Sequence, residues 1–570
     1  MNKLLGYKSL FLSIVALWSL VTLLALVGMY KLWWERERVD YLGKNVTEQR
    51  QKIWQNAGLS QGLLAQIAAA DRVWPAEVRY AVQGDHNQLS YGKYILLPRI
   101  PDGAGPYSLR DNGEYSPTGQ ESSPPQEAGY CSGFFLSVLL IGAMAKVLQR
   151  FLSRVDLSTP GAFGLAILLV MACSLLSRVF LGAAVPAFQG LMLLGIVCLI
   201  FLLPAAIRKV AEILKSASSG IPSFTMPLGM RFGLILVITL FILWSLLMSV
   251  IVVPDDWDAW AIWGAKAKVL ALGHGSLHDV TYFGHGDYPL LWPTIWAFSA
   301  WLSGGWEEMW SRGWGSVFLL LCVWEAVIIV RRSTASLRLG LLCGAFFVSI
   351  PMVSLVASWS YAEAPFWFLT TACVGLIHKQ DENGGARTVL AALLAAAAAY
   401  TKNEGVMFAG IVWCWLLLAP QTRTPKNLLL FILTFSLCYL PWFYWTHTVL
   451  QLESHAVAGL QLDGSTVQRA LSRIPAALET ITRMWLDVKQ WNIVLWLCLS
   501  FAVVGVFSRE GRKWIIIPAG MLVGYFLIII FHHAEIYWQV GTAWNRLTLH
   551  ALPLLLVGGV TQARELVKGG

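Results

Sequence analysis

Apolar runs close to the length of a bilayer crossing recur along this chain, and they limit its fold more than any other feature. The hydrocarbon core takes roughly 20 helical residues to cross, and inside it only helices or closed barrels satisfy their own backbone groups. The runs are continuous and lack period-two alternation, so they predict helices rather than barrel strands. Beyond residue 131 the expected spans are 132–149, 162–181, 185–203, 232–253, 314–330, 338–357, 360–378, 388–401, 405–419, 427–446, 491–508, 514–531 and 544–562. With an N-terminal run at 10–29, the expected fold is an all-α polytopic membrane protein of about 13–14 transmembrane helices. A mean hydropathy of +0.59 and a charged fraction of 13% agree, because soluble domains carry about a quarter charged residues.

The basic balance, +9 from 42 Lys and Arg against 33 Asp and Glu, follows from where the cations sit. With a cytoplasmic N-terminus, the cytoplasmic turns hold Arg150 and Arg154, then Arg208, Lys209 and Lys215. Later ones hold Arg331 and Arg332, Lys379 and Arg387, Arg423 and Lys426, and Arg509, Arg512 and Lys513. The excess of cations on the cytoplasmic side of membrane proteins accounts for this without a nucleic acid partner. The parity requires that 288–303, Trp-rich and broken by Pro289 and Pro293, does not cross. The nine cysteines form no CxxC pair and read as buried thiols.

The run at 10–29 follows Lys3 and Lys8 and leads into Lys31-Leu32-Trp33-Trp34 with no small-residue cleavage site, so it reads as a retained anchor (residues 1–30). Residues 31–130 form an extracytoplasmic segment, with a charged helical start, a strand expected at 91–97 and a Pro/Gly/Ser-rich linker at 98–129. Residues 131–231 supply additional helices. Residues 232–562 form a transmembrane module with outer loops at 254–313 and 447–490. There is no GxGxxG and no P-loop, which argues against nucleotide-driven chemistry.

Five groups of chemistry-bearing residues fall on the outer face of this topology. The densest is Asp255-Asp256-Trp257-Asp258, directly after a span, followed by Trp260 and Trp263 on one stripe of an interfacial helix with Lys266 and Lys268 off it. Carboxylates at a membrane exit are costly unless solvated, paired or used, although an acidic helix start beside an aromatic belt has the same composition. Asp256-Trp257-Asp258 also fits a short DxD pattern that a divalent metal ion could bridge, for which the sequence identifies no further ligands. The others are His285-Gly286-Asp287-Tyr288, Tyr361-Ala362-Glu363, Thr401-Lys402-Asn403-Glu404 and Arg546 with His550. Lys402 and Arg546 are cations on the side where the charge rule does not place them. Outer carboxylates near outer cations suit removal of a proton from a hydroxyl together with stabilisation of charge on a leaving group.

In order and sidedness these motifs resemble the GT-C glycosyltransferases, in the style of the protein O-mannosyltransferases and lipid A aminoarabinose transferases. The acidic group 255–258 and the helix ending at Gly273 are similar to that superfamily's first outer loop. Asp287-Tyr288-Pro289-Leu290 is similar to its Tyr/His-Pro-Pro-Leu motif, with Leu290 in place of the second Pro. Tyr361-Ala362-Glu363 stands where an Asp is usual, and Thr401-Lys402 and Arg546 match its later basic positions. The resemblance implies an inverting enzyme with a polyprenyl-phosphate sugar donor and a glycan, lipid or protein acceptor among membrane lipids. It implies Asp258, Asp256 or Asp255 as the base, with Glu363 positioning the acceptor or a metal. Lys402, Arg546 and His550 would hold the donor phosphate. Trp257, Trp260, Trp263, His285, Asp287, Tyr288, Tyr361 and Glu404 would line the substrate groove. Residues 1–231 fall outside the pattern. A bacterial inner membrane with a periplasmic site is the expected location.

A transporter or flippase for a lipid-linked or small solute is the main alternative, and a non-catalytic assembly subunit or a glycan ligase are others. Transporters keep ionisable residues or broken helices near the midplane. Here the predicted spans are nearly free of central charges, Glu325 being the clearest exception, and their ionisable residues gather at the outer ends, which favours interfacial chemistry.

Overall fold

In the computed structural model the described residues are 17–23, 27, 79–83, 100–101, 107–110, 131–181, 184–217, 228–253, 256–272, 277–281, 283–378, 384–418, 424–452, 463–507 and 509–568. Every range expected beyond residue 131 contains helix. The elements are α1 (Ser132–Phe151), α2 (Thr159–Leu181), α3 (Val185–Ala217), α4 (Leu228–Ile251), α5 (Ala265–Leu272), α6 (Leu277–Thr281), α7 (Leu291–Leu302), α8 (Trp314–Thr334), α9 (Leu337–Val348) and α10 (Pro351–Ser358). They continue as α11 (Glu363–Ile377), α12 (Gly384–Ala399), α13 (Glu404–Leu418), α14 (Pro425–Tyr444), α15 (Gly464–Trp485), α16 (Val488–Trp491), α17 (Val494–Val506), α18 (Arg509–Phe531) and α19 (Ile536–Lys568). Three short parallel strands, β1 (Arg79–Gln83), β2 (Ile100–Pro101) and β3 (Tyr107–Arg110), pair in the order β2-β1-β3. The strand expected at 91–97 and Asp255 lie outside the described residues.

Among the described residues seven helices are long and apolar enough to cross a membrane, or eight if α9 and α10 form one span. The helices at Glu363–Ile377, Gly384–Ala399, Glu404–Leu418 and Val494–Val506 are apolar but shorter. The count of full-length crossings is therefore smaller than the number of apolar runs. The peripheral helices carry exposed apolar stripes: on α4, Phe232, Leu236, Leu243 and Leu247 recur at helical spacing on the outward face. A stripe of that kind is stable against acyl chains and not against water. The chain is an all-α polytopic integral membrane protein.

Inside this apolar ring lie α11 and α12. Nearly every side chain of α11 is buried, and α12 ends in a run of alanines that lets its neighbours approach closely. The helices of residues 131–231 join the same core. Trp314 Nε1 donates to Ser137 Oγ at 2.9 Å, and Ser158 Oγ lies 2.5 Å from Glu325 Oε2. Glu325, the clearest ionisable residue within a predicted span, therefore has a hydroxyl partner.

The expected span at 338–357 is bent by 67° between α9 and α10. A break inside apolar surroundings frees backbone groups that must find partners. Asn492 Nδ2 donates to Ser349 O at 3.2 Å, and Trp18 Nε1, in the anchor run, donates to Ser349 Oγ at 2.9 Å. Pro351 opens α10, where its missing N–H costs nothing. The segment 288–303 holds the twelve-residue α7, too short to cross.

Candidate active site

The polar network begins where α4 ends. Residues 258–264 form a π-helical turn that runs into α5, and residues 259–271 are all buried. The exposed polar face expected on this helix is absent: Lys266 and Lys268 are buried too. Lys266 Nζ donates to His285 O at 2.6 Å and to Tyr288 O at 3.1 Å, which ties α5 to the His285–Tyr288 loop. Burial pushes this ammonium down to about 7, against the pull of Asp287.

The loop itself is shaped by its glycine. A Cβ on Gly286 would stand 2.2 Å from Thr281 O, and His285 before it adopts φ 50°, a left-handed conformation costly for a residue with a Cβ. Tyr288 stacks on Trp263 at 5.4 Å and on His285 at 4.7 Å. Asp287 is buried and accepts from Asn403 Nδ2 at 2.6 Å, while Leu291 N donates to Tyr400 O at 2.9 Å. The 283–290 loop is thus fastened to the corner between α12 and α13.

A second junction, between α10 and α11, presents Tyr361 and Glu363. Ser360, at φ 67°, is held by Arg312 Nε to its hydroxyl and by Trp292 Nε1 to its carbonyl, both at 2.7 Å. Arg312 also donates to Val252 O, so one guanidinium joins the end of α4 to this junction.

The expected charges meet here. Arg546 Nη1 lies 2.5 Å from Asp258 Oδ2 and 3.7 Å from Glu363 Oε1, with its guanidinium over the Tyr361 ring at 4.9 Å. Lys402 Nζ lies 3.0 Å from the same Glu363 oxygen and 3.3 Å from Glu404 Oε1. Burial works against the Lys402 ammonium, but Glu363 and Glu404 outweigh it and raise its pKa above the usual lysine value. The Tyr361 hydroxyl, hydrogen-bonded to Asp256, is pushed up by burial and by Asp258 and Asp256. Exposure grades the network: the Asp258 and Arg546 side chains are 25% and 24% exposed, those of Glu363 and Lys402 only 1% and 7%.

The network lies at one end of the bundle, and the described Arg332, Arg387 and Lys513 lie at the other. Glu363 opens α11, whereas His378, just past its far end, meets Lys513 O at 3.0 Å. Arg387, at the start of α12, donates to Val155 O, whereas Lys402 follows that helix's last turn.

No family model matches the chain, and no curated protein matches it. Among solved structures it is similar to the archaeal oligosaccharyltransferase AglB from Archaeoglobus fulgidus, in complex with an inhibitory peptide and a dolichol-phosphate. That likeness has a TM-score of 0.35 at 9% identity, over 58% of this chain and half the length (50%) of AglB.

Not every expected residue keeps exposed surface. Trp257 keeps exposed surface, but Trp260 and Trp263 are enclosed and support the loop instead. His550 is wholly buried; its Nδ1 shares a hydrogen bond with the Tyr525 hydroxyl at 3.0 Å, and its ring packs on Phe366 at 4.4 Å. Trp257 Nε1, Glu404 Oε2 and His550 Nε2 are buried without a hydrogen-bond partner, a cost usually met by water or ligand. Among the described residues no three His, Cys, Asp or Glu side chains group to hold a metal ion; the Asp258 and Glu363 carboxylates are matched by Arg546 and Lys402. Sequence reasoning placed Asn403 in the Lys402 group without a partner, and it missed Lys266, Arg312 and Tyr525 as parts of this assembly. Only Lys266 left a signal, as a cation within a run of Ala and Trp too apolar for a water-facing helix.

Proposed function

We propose that this protein is a GT-C-type membrane glycosyltransferase that moves a sugar from a polyprenyl-phosphate carrier to an acceptor hydroxyl, with inversion. The observation that carries the reading is the contact between Asp258 and Arg546, both partly open and backed by the enclosed Glu363 and Lys402, with the half-buried Glu404 beside Lys402. A base beside a cation is what this reaction needs. Asp258 takes the acceptor's proton as its oxygen attacks the anomeric carbon from the face opposite the phosphate. The bond from that carbon to the phosphate oxygen breaks, the electron pair leaves with the phosphate, and Arg546 stabilises the growing charge. Glu363 holds Arg546 in place, and Lys402 holds Glu363. His550 acts from behind the same residues, and Trp257 offers a face for the sugar or the lipid.

The network's position opposite the cation-rich turns supports an extracytoplasmic site, in a bacterial inner membrane with residues 232–562 as the catalytic module. The test is a transfer assay in liposomes, with polyprenyl-phosphate-linked sugars and a crude envelope acceptor fraction, comparing wild type with Asp258→Asn. Release of carrier phosphate by wild type alone supports the enzyme and its base. Near-normal turnover by Asp258→Asn removes Asp258 from the role. No turnover with any donor, beside saturable lipid or solute movement, assigns a transporter instead.

A further inference from the structure

Helix α15 touches three different surroundings. Successive helical residues turn by about 100°, and on that wheel Thr466, Ala470, Ala477 and Ile481 form a buried stripe packed on α18 and α19. About 90° round, Val467, Leu471 and Leu478 form a second apolar stripe that no protein covers, 43%, 60% and 50% exposed. The rest of the circumference carries the exposed Gln468, Arg469, Ser472, Glu479 and Arg483. A helix between protein and water alone needs one apolar stripe; the second one needs another apolar phase.

The attachments of α15 set its depth. Arg473 donates to His532 O and, at 2.5 Å, to Ala534 O, immediately beyond the span that ends at Phe531. Tyr537 and Trp538, at the same corner, are 52% and 58% exposed, the signature of rings placed at a membrane–water boundary. At its far end Trp485 Nε1 donates to Thr548 Oγ1 at 3.1 Å, one helical turn's reach from Arg546.

We propose that α15 docks on the bilayer surface at the site's end of the molecule. Val467, Leu471 and Leu478 dip below the headgroups, and Arg469 and Arg483 lie among or above them. The occupant of the second stripe is lipid. This stands independently of the reaction assigned above, since the helix would hold the membrane boundary level with Arg546 whatever Arg546 does.

The test uses the full chain in vesicles of phosphatidylcholine and phosphatidylglycerol, with the exposed Cys131 and Cys414 replaced by Ser. Nitroxide labels are placed one at a time through Leu471→Cys, Leu478→Cys, Ser472→Cys and Arg483→Cys, all exposed positions that leave the buried stripe intact. Collision with oxygen, which concentrates in lipid, is compared with collision with a water-soluble nickel chelate. The expected result is an oxygen-to-nickel ratio several-fold higher at 471 and 478 than at 472 and 483. Equal nickel access at all four positions overturns the proposal in favour of a helix standing in water. Poor access of both reagents to 471 and 478 also overturns it, because a protein surface then covers the stripe.

Discussion

The two ends of the helix bundle treat charge differently. At the Asp258 end, acids and bases alternate in one connected network that sinks from a quarter-exposed pair to side chains with almost no exposed surface. At the opposite end Arg332 meets Asp156 at 3.3 Å with 37% and 59% of those side chains exposed, and Arg387 rests on a backbone carbonyl. A solvated pair contributes about 0–1 kcal/mol and can be lost cheaply. An enclosed network pays desolvation on every member and is poor evidence for stability; clustering of such groups in a cleft is instead a mark of a functional site. On the proposed function, the difference separates charge kept for orientation in the membrane from charge kept for chemistry.

The sharpest way to break the comparison is to remove its most engaged cation. Arg546→Met should cut turnover by roughly 10²–10³-fold, the cost of losing one preorganised donor to a developing negative charge. Steady-state transfer rates read this, with monodispersity in detergent showing that the fold persists. Normal turnover would place the chemistry elsewhere.

Much of the fold was legible in sequence because apolar run length is a local property. The bend between α9 and α10 was not: 338–357 reads as one run, and the residues that meet Ser349 at the break, Asn492 and Trp18, lie 143 and 331 positions away. The site was legible for a different reason. Lys402 and Arg546 stand out against a charge rule, so each betrays itself alone. Which acid each one meets was hidden, since Arg546 reaches Asp258 across 288 positions. Periodicity also misled at Lys266. A lysine off the apolar stripe reads as water-facing, and nothing local reveals that the 285–288 loop folds over it.

Next in size is the enclosed end of the network. Lys402→Met leaves Glu363 buried with fewer compensating charges, and breaking such a buried pair costs about 3–5 kcal/mol. A large drop in thermal midpoint is expected, and restoring neutrality with Glu363→Gln in the same chain should recover part of it. Failure of the second change to recover anything would mean that the pair is not coupled.

Lys266 offers a smaller, pH-dependent effect. Its folded-state value is pushed down to about 7, against an ordinary 10.5. Between those values the unfolded chain holds a proton that the folded chain lacks, so raising the pH stabilises the fold relative to a chain without the group. The thermal midpoint of wild type minus that of Lys266→Met should therefore climb from pH 7 to 10. A flat difference would show that Lys266 keeps its ordinary affinity for protons.

The smallest effect belongs to the opposite end and completes the comparison. Arg332→Ala removes one side of an exposed pair whose partner, Asp156, remains solvated, so no buried charge is stranded. The expected loss is below about 1 kcal/mol and should shrink further in salt, because screening acts on charges that water already reaches. Turnover should be unchanged, since the site lies at the far end of the helices that Arg332 closes. A loss as large as that of Lys402→Met would mean that the cation-rich end is also a tightly coupled network, and the division between orienting and reactive charge would fall.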